Sequence, residues 1–497
     1  MESIKYDIAI LGAGPAGLCA ALRLAGLGYR VALTEVCRFP RPQIGESLSP
    51  GIFSLFDYLG AGHLLDDTRY LRELPSRVLW EEEAVQSGGE GETSQSGRER
   101  EAAFAGMVGQ SIAKDGFLVD RARLDEALLA EAIARGVDFF PGVNAGIHPA
   151  VGAGLVFPPG TALPGARVIL DARGRRSVKA ADRLLTAPSS LALWVQVPAA
   201  VMPFESRVEA LPAGWLWGAP VPGGEYRVMA FVDAQTVKAQ GAYAVLRGMV
   251  AESRLFGATL PMLPGGRLQT CPVLHYIHKT PWRDDYIRVG EAAFTIDPLS
   301  SSGVEKAMRH ALQAVIALNT LLKGDNPALA RSFYEDKLVK SVSDHQVWTC
   351  TYYGKAWPGP RYPFWKARSE SRDLPLPVRL RRQEEATHLF VQAPVNVTQV
   401  LSQVWESVPM LSPLLSYDRA CCVVDDMVQL RTGISHPRLQ GEMVYLGGVE
   451  IKPLLDMIPS VQTFGELLYR WSNVMPVEQA GKMLAFLWER EILSTPY

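Results

Sequence analysis

The start of the chain carries a strand–turn–helix–strand pattern that few folds accommodate. An apolar run from Tyr6 to Leu11 is followed by Gly12, Gly14 and Gly17 in the order G-x-G-x-x-G, then by a helical stretch and a second apolar run that ends on Glu35. In such a unit the first glycine permits a tight turn, the second lets the backbone approach a pyrophosphate, and the third lets helix and strand pack closely. The pattern predicts a Rossmann-type α/β domain that binds a dinucleotide, with the acid on a ribose hydroxyl.

Composition and charge narrow the class of protein. The chain has 497 residues, enough for two or three domains, and its formal net charge of −2 gives no general attraction to nucleic acid or to an anionic membrane. No apolar run reaches the roughly 18 residues of a transmembrane helix, and the first strand begins almost at once, so we expect a cytoplasmic protein. The six cysteines include no C-x-x-C pair, which predicts a reducing setting and no metal site.

Later segments indicate which dinucleotide is bound. The first, VILDARGRRS, is a strand that runs into Asp171 and a turn. The second, YIRVGEAAFTIDPLSSSGVEKAM, is a strand ending at Gly290, a loop through Pro298, and a helix from Gly303. Between them, FLVDRARLDEALL places Arg121 at the start of a helix. In this order the segments resemble the FAD fingerprints of the aromatic hydroxylase and flavin-dependent halogenase superfamily.

The resemblance assigns a role to each segment. It implies that Glu35 holds the adenosine ribose, that Glu291 holds the ribityl chain where the family usually has Asp, and that Arg121 reaches the flavin side of the cofactor. The loop from Pro298 to Gly303 would end at a helix N-terminus beside the isoalloxazine, where backbone N–H groups stabilise anionic charge. The residues expected to bind FAD are Gly12, Gly14, Ala16, Gly17, Glu35, Arg38, Ser47, Arg121, Asp171, Gly290, Glu291, Pro298, Ser302 and Gly303.

A narrower set of motifs is similar to those of flavin-dependent halogenases. RFPRPQIGESLSPG, from Arg38 to Gly51, resembles their G-E-S/A segment next to the flavin, and GWLWGAP resembles their W-x-W-x-I-P motif, with Ala219 at the isoleucine position. DPLSSSGV resembles their D-P-x-x-S-x-G loop. The similarity covers roughly residues 1–370 and implies an FAD domain joined to an antiparallel substrate sheet.

The residue that defines halogenase chemistry is absent. Halogenases of this family use a lysine, in the strand before a tryptophan, to hold or pass on hypohalous acid. In the matching stretch, YLRELPSRVLW, Arg72 takes that position, and a guanidinium stays protonated and cannot form a haloamine. Tryptophan halogenases also carry Glu in the flavin loop where this chain has Ser300. The resemblance therefore implies hydroxylation, in which reduced flavin and molecular oxygen form a C4a-hydroperoxide that transfers oxygen to an electron-rich ring.

A substrate sheet is predicted over residues 190–275, which alternate Val, Leu and Trp between turn pairs. Trp215 and Trp217 alternate on one face of that sheet, where they either pack in the core or line the substrate pocket. Together with Arg72 they are the candidate substrate-binding residues. The candidates for a catalytic acid or base, by residue type alone, are His275, His278, His310 and His345, each of which also fits a structural role.

Three further segments differ in composition from the motifs. Residues 84–110 are rich in Gly, Ser and Glu and predict a solvated loop or a lid. Residues 355–382 carry eight Lys/Arg, which favours a solvated face or a dock for an acidic polypeptide. Residues 436–497 contain a hairpin pattern at Gly447-Gly448, a capping box from Thr463 to Glu466 and two helical stretches. This last pattern predicts a winged-helix-like module, and its five Lys/Arg against seven Asp/Glu favour docking of a protein over nucleic acid.

We therefore expect an α/β protein in three parts. Residues 1–370 would form the FAD-binding and substrate-sheet core, 371–435 a helical linker region, and 436–497 the docking module. A core of this kind with a docking module resembles the monooxygenases that mature tryptophylquinone cofactors. That resemblance implies hydroxylation of a tryptophan side chain in a precursor polypeptide, with a flavin reductase or another source of reduced flavin as a partner.

Three other functions stay open at this point. The first is a flavin-dependent halogenase of a phenol, indole or pyrrole. The second is a small-molecule aromatic hydroxylase. The third is a non-catalytic, flavin-bearing accessory protein that binds a polypeptide.

Overall fold

The computed structural model of the chain describes residues 6–41, 43–72, 74–80, 117–143, 165–263, 268–324, 326–357, 359–370, 397–439 and 441–496. The described residues form two compact units, the first drawn from 1–315 and 334–380 and the second from 316–333 and 381–497. The predicted loop or lid at 84–110 lies outside the described residues, as does the part of the basic stretch beyond residue 370.

The described residues form the following strands and helices, numbered in chain order. The strands are β1 Tyr6–Leu11, β2 Val31–Glu35, β3 Ser47–Leu48, β4 Ser76–Leu79, β5 Phe117–Leu118, β6 Asp138–Pro141, β7 Ala166–Asp171, β8 Arg183–Leu185, β9 Ser190–Pro198, β10 Ser206–Leu211, β11 Gly214–Val221, β12 Glu225–Val232, β13 Gln269–Val273, β14 Tyr276–His278, β15 Trp282–Arg283, β16 Tyr286–Arg288, β17 Phe294–Thr295, β18 Met410–Leu411, β19 Ser416–Val424, β20 Met427–Ser435, β21 Tyr445–Leu446, β22 Val449–Glu450 and β23 Leu493–Ser494. The helices are α1 Pro15–Gly26, α2 Gly51–Tyr58, α3 Arg121–Ala134, α4 Ala234–Gln240, α5 Ala242–Glu252, α6 Gly303–Lys323, α7 Pro327–Ala356, α8 Pro363–Ser369, α9 Val397–Val404, α10 Ile451–Leu455, α11 Phe464–Ser472 and α12 Val477–Glu489.

The first sheet is the predicted Rossmann-type sheet. Its six strands run in the order β15-β16-β7-β1-β2-β6, and every pair is parallel except the edge pair β15–β16. All five residues of β2 are buried, and five of the six in β1. Near-continuous burial is expected of a parallel strand that is covered on both faces, which explains why these strands are apolar runs without alternation.

The second sheet is the predicted antiparallel substrate sheet. Its strands run in the order β13-β9-β12-β11-β10-β4, and only β4, which comes from earlier in the chain, pairs in parallel. One face packs on α5 through aliphatic side chains such as Leu193 and Val228. The other face packs on an aromatic cluster from α7 and α8 that includes Tyr353 and Trp365. Both faces are therefore buried, and the alternating Trp residues of β11 point to the aromatic side.

The second unit differs in part from the sequence prediction. Within 371–435, which was predicted to be helical, β19 and β20 form a long antiparallel hairpin, and α9 is the helix among the described residues. The hairpin turn is Asp425-Asp426, with φ values of +50° and +58°. Two residues with positive φ make the turn that suits a two-residue hairpin, and Asp tolerates this conformation better than most residues. The helical prediction was therefore wrong for 416–435.

The remaining part of the second unit contains the elements that were predicted for it. The hairpin β21–β22 turns at Gly447-Gly448, and Thr463 Oγ1 accepts a hydrogen bond of 3.1 Å from Glu466 N at the start of α11. The core of α10, α11 and α12 also contains Val400, Val404 and Ile434. Residues on both sides of position 436 thus share one core, and the winged-helix description of 436–497 stays a prediction. None of the helices in the described ranges is long and apolar enough to cross a membrane.

Candidate active site

The glycine turn between β1 and α1 meets two different constraints. A Cβ on Gly12, whose φ is +102°, would lie 2.6 Å from Ala172 O, and a Cβ on Gly17 would lie 2.0 Å from Gly12 O. These two glycines are required by the packing of the protein itself. A Cβ on Gly14 would meet only Arg41 Nη2, at 3.9 Å. Within the described ranges no neighbour requires glycine at position 14, so its place fits a backbone that a pyrophosphate approaches.

Glu35 lies at the end of β2 and is bound to the same turn. Its Oε2 accepts from Ala13 N at 2.9 Å and its Oε1 from Cys37 N at 3.0 Å. The carboxylate is therefore fixed in place and keeps lone pairs for a ribose hydroxyl. This is the position that the FAD fingerprint predicts for the ribose-binding acid.

Arg41 is a contact of the turn that the sequence analysis missed. Its Nη2 donates to Ala13 O at 2.9 Å and lies 3.8 Å from Glu35 Oε2. A guanidinium beside the turn would balance the negative charge of a pyrophosphate. Arg38, which was predicted to bind FAD, is exposed. Both arginines belong to the motif RFPR, and nothing in the spacing indicates which of them reaches the turn.

Arg121 contacts the start of the G-E-S segment, Gly45–Ser47. It is 6% exposed and forms two hydrogen bonds of 3.1 Å to Asp125, one turn along α3. Its Nη1 also donates to Ile44 O at 3.2 Å and to Gly45 O at 3.4 Å. The guanidinium is thus engaged with the loop, and we infer that it positions Gly45–Ser47. Ser47 itself pairs with Leu118 in the short ladder β3–β5.

A buried ion pair joins this loop to the substrate sheet. The Glu46 carboxylate pairs with the guanidinium of Arg227 on β12, and the two residues are 7% and 9% exposed. Glu46 also accepts from Gly45 N at 3.1 Å. Arg227 was not identified from the sequence, because a single arginine in an antiparallel strand carries no motif.

The second and third fingerprint segments meet near the turn. Asp171 accepts hydrogen bonds from Arg173 Nε at 2.9 Å and from the Tyr286 hydroxyl at 2.5 Å. Burial raises the pKa of Asp171, but these bonds and the charge of Arg173 outweigh it, so the pKa is lowered overall. Glu291 has a side chain that is 53% exposed, with its nearest cation, Arg175, at 3.9 Å. An exposed and weakly paired carboxylate is available to a ribityl hydroxyl.

Gly290 explains why Ala16 belongs to the same site. Gly290 has a φ of +57°, and a Cβ there would lie 2.8 Å from Ala16 Cβ. Only small residues at both positions allow the third fingerprint segment to approach the first helix this closely. The two segments are therefore held together by packing.

The loop from Asp297 to Gly303, which we call the flavin loop because the family resemblance predicts that it faces the isoalloxazine, is shaped by its own side chains. Asp297 caps the 3₁₀ turn Pro298–Ser300 by accepting from Leu299 N at 2.9 Å. Ser301 has a φ of +51°, and the hydroxyls of Ser300 and Ser302 lie 2.6 Å apart. A Cβ on Gly303, where α6 begins, would meet none of the described residues within 4 Å. The helix start is therefore open, as a site for a flavin edge requires.

The tryptophans of β11 lie on one face of the sheet, as predicted, but in different surroundings. Trp215 is 2% exposed and stacks on Phe231 with a centroid separation of 3.9 Å. Its indole N–H donates to the Tyr353 hydroxyl at 3.2 Å, and that hydroxyl donates to Asp297 at 3.0 Å. Trp215 is thus a core residue that supports the flavin loop. Trp217 is only partly buried, and its role in binding substrate stays a prediction.

Arg72 precedes β4 instead of lying within it. Its Nη2 donates to Leu65 O and lies 3.1 Å from Asp66 Oδ1. The guanidinium sits 5.7 Å from the ring centroid of Phe53 and 5.8 Å from that of Phe117. Its side chain is 46% exposed, and its role in binding substrate stays a prediction.

The four candidate histidines are buried, and burial lowers the pKa of each. The pKa of His278 is lowered to about 4 and those of His310 and His345 to about 3. They are neutral at pH 7. His345 Nε2 bonds to Asp297 O at 3.1 Å, and His275 Nε2 lies 3.7 Å from Asp297 Oδ2. His275 and His345 therefore lie next to Asp297, the first residue of the flavin loop. Among the described residues no group of His, Cys, Asp and Glu is arranged to hold a metal.

Comparison with known proteins places the chain in a family. Residues 92–408 match the tryptophan halogenase family. The tryptophan 2-halogenase of Chondromyces crocatus is 30% identical over 360 residues, which span 66% of this chain and 64% of that protein. A solved structure described as QhpG, a peptidyl tryptophan dihydroxylase essential for tryptophylquinone cofactor biogenesis, is similar over 98% of this chain and 99% of its own, with a TM-score of 0.68 and 24% identity.

A second solved structure, the flavin-dependent halogenase CmlS, is similar over 98% of this chain and 95% of its own, with a TM-score of 0.67 and 20% identity. These structural likenesses bear out the fold. The contacts of the Gly14 turn, Glu35 and Glu291 with the phosphates, adenosine ribose and ribityl chain stay predictions of the FAD fingerprints. The chain therefore belongs to the tryptophan halogenase family of flavin-dependent oxidoreductases, and its cofactor is FAD.

Proposed function

We propose that this protein is an FAD-dependent monooxygenase that hydroxylates a tryptophan side chain within a precursor polypeptide, as a step toward a tryptophylquinone. The observation that carries the proposal is Arg72, which stands where halogenases of the family need a lysine and whose guanidinium is engaged with Leu65 and Asp66. The likeness in fold to a peptidyl tryptophan dihydroxylase over 98% of the chain supports the choice of substrate.

In this proposal the residues of the chain bind and orient the cofactor and exclude water. FAD, when bound and reduced, would supply the activation of molecular oxygen. The glycine turn, Arg41 and Glu35 would hold its adenosine diphosphate half. The Gly45–Ser47 segment and the loop from Asp297 to Gly303 would face its isoalloxazine. The apolar face of β11 and β12 would keep water from the reacting ring.

The polypeptide would dock on an exposed apolar surface of the second unit, which we call the Trp405 surface. The Trp405 ring lies over Gly465, where a Cβ would come within 2.8 Å of it, and Tyr469 follows one turn later on α11. Trp405 is 44% exposed and Tyr469 is 69% exposed. Large exposed apolar side chains that lie together favour a protein contact. The predicted role of the 436–497 module in docking is thus extended to include Trp405.

Flavin-dependent halogenation is the second candidate, because the family match and the 30% identity to a tryptophan 2-halogenase favour it. One experiment separates the two. The FAD-loaded protein is supplied with reduced flavin, oxygen and chloride or bromide, and with either a tryptophan-containing precursor polypeptide of a quinone enzyme or free tryptophan. Mass spectrometry then detects added oxygen or added halogen. We expect oxygen on the polypeptide and no halogen on either substrate. A halogenated product would contradict the proposal, and no change in any substrate would favour a non-catalytic role.

A further inference from the structure

A small cavity of about 30 Å³ lies next to Asp297, at the start of the flavin loop in the first unit. Its lining includes His275, Thr295, Asp297, His345, Thr349 and Tyr353. A cavity needs roughly 10–15 Å³ to hold one water molecule, and two to four polar partners to keep it there. The cavity meets both conditions.

Asp297 forms one wall of the cavity. It is 7% exposed; its Oδ1 accepts from Leu299 N at 2.9 Å and its Oδ2 from the Tyr353 hydroxyl at 3.0 Å. Two hydrogen bonds leave lone pairs on a carboxylate unused. A buried charge is stable only when its remaining acceptor positions are satisfied. Asp297 therefore has room for one more donor on its cavity side.

His275 forms the facing wall. It is 3% exposed, and in the described part of the chain its Nε2 has no hydrogen-bond partner. That nitrogen lies 3.7 Å from Asp297 Oδ2, too far for a direct hydrogen bond. Burial lowers the pKa of His275, the Asp297 carboxylate raises it and Arg368 lowers it, for a net decrease. The ring is thus neutral at pH 7. Its Nε2 can carry the ring proton and donate a hydrogen bond to a bridging water.

We infer that the cavity binds a water molecule that bridges His275 Nε2 and Asp297, and that His275 is thereby a positioning residue for the flavin loop. The water accepts from His275 and donates to Asp297. Asp297 in turn caps the turn Pro298–Ser300 through Leu299 N. Without the bridge, the carboxylate keeps its bonds to Leu299 N and Tyr353 but loses its third partner, and the capped turn is held less firmly. The inference rests on FAD binding alone, so a failed hydroxylation assay would leave it standing.

The test compares two buried histidines. His275→Phe keeps a ring of similar size and removes the nitrogen that holds the water. His310→Phe is the matched control, because His310 is also fully buried, packs on Phe294 and Tyr334, and lies away from Asp297 among the described contacts. His275→Gln restores a side-chain N–H at a similar reach. The readouts are the midpoint potential and visible spectrum of bound FAD, measured after each variant is shown to melt cooperatively.

We expect the FAD potential to fall in His275→Phe, because a displaced loop no longer aims its N–H groups at the anionic reduced flavin. His275→Gln should recover most of the wild-type potential, and His310→Phe should leave it unchanged. A crystal structure of the wild-type holoprotein should show water within hydrogen-bond distance of His275 Nε2 and Asp297. Absence of that water, an equal shift in His310→Phe, or no recovery in His275→Gln would overturn the inference. If His275→Phe does not fold, the inference is tested by the water in the wild-type crystal structure and by the FAD potential of His275→Gln.

Discussion

At the scale of the residue, chemically identical side chains in this protein serve different ends. Gly17 is required by contact with the backbone of Gly12, whereas Gly14 has open space around its missing side chain. Similarly, His275 borders a cavity next to the Asp297 carboxylate, and His310 lies between aromatic rings. The surroundings, and not the residue type, decide which substitution affects the cofactor and which affects the fold.

Gly14→Val should lower FAD affinity at least roughly tenfold without unfolding the protein, because the added side chain enters the space that the pyrophosphate needs. Flavin content after purification and the melting temperature of the apoprotein measure the two effects. Gly17→Ala is the control for the opposite case, since its Cβ would lie 2.0 Å from Gly12 O and should destabilise the fold itself. A Gly14→Val protein with full flavin content would refute the assignment.

His310 should make the first unit acid-sensitive. Burial lowers its pKa to about 3, below the usual value of about 6.5 in the unfolded chain. The unfolded state then binds more protons below pH 6.5, so stability is lost as the pH falls toward the folded pKa. From pH 7 to pH 5 this one group should cost on the order of 2 kcal/mol. His310→Phe should lose less stability than the wild type over that interval in denaturation curves, and parallel losses would contradict the prediction.

At the scale of the element, loops are joined to sheets by buried polar contacts. The Gly45–Ser47 segment is held by Arg121 of α3 on one side and by Arg227 of β12 on the other. The flavin loop is held by Tyr353 of α7, which also bonds to Trp215 of β11. Each connection fixes a loop that we expect to face the cofactor against a rigid helix or strand, as an ordered site requires.

Arg227→Met should destabilise the first unit by about 3–5 kcal/mol, because Glu46 would be left as a buried charge without its partner. The double variant Glu46→Gln/Arg227→Met should recover part of that loss, since it removes both charges. Chemical denaturation of the apoprotein gives the free energies of unfolding. Arg438→Met supplies the matched control, because its partner Glu491 is exposed and its loss should have little effect. Additive losses in the double variant would show that the pair is not coupled.

At the scale of the whole molecule, the second unit has a hydrophobic core of its own. The core of the second unit includes Val400, Val404 and Ile434 together with residues of α11 and α12. Deleting 436–497 would therefore remove most of that core and expose the three residues that remain. Substitutions on the Trp405 surface test the docking role more cleanly than a deletion does.

Tyr469→Ala should lower turnover of a precursor polypeptide at least roughly fivefold while leaving FAD content and melting temperature unchanged, because a largely exposed side chain contributes to binding and not to the core. Phe204→Ala is the control, since Phe204 is a 62% exposed aromatic residue of the first unit. Initial rates at limiting polypeptide concentration provide the measurement. Equal rates for Tyr469→Ala and the wild type would remove Tyr469 from the docking surface.

The sequence by itself determined the elements whose cause is local. The spacing of Gly12, Gly14 and Gly17 predicted the strand–turn–helix unit, and the alternation in β9 to β12 predicted the antiparallel sheet, since both patterns follow from backbone geometry over a few residues. Thr463 and Gly447 likewise marked a helix start and a hairpin that the structure contains. The turn at Asp425-Asp426 was also local, but its two aspartates were not interpreted as a turn.

The tertiary structure decided which distant residues complete the site. Arg41 rather than Arg38 contacts the glycine turn, and Arg227 meets Glu46 across 181 positions of the chain. It also placed Trp215 in the core and brought His275 within 3.7 Å of Asp297. Such pairings depend on how sheets and helices pack, and a side chain's partner across that packing leaves no periodic trace in one sequence. The glycines were predictable because their constraint lies in the adjacent backbone, whereas the charged pairs were not because their constraint lies in the whole fold.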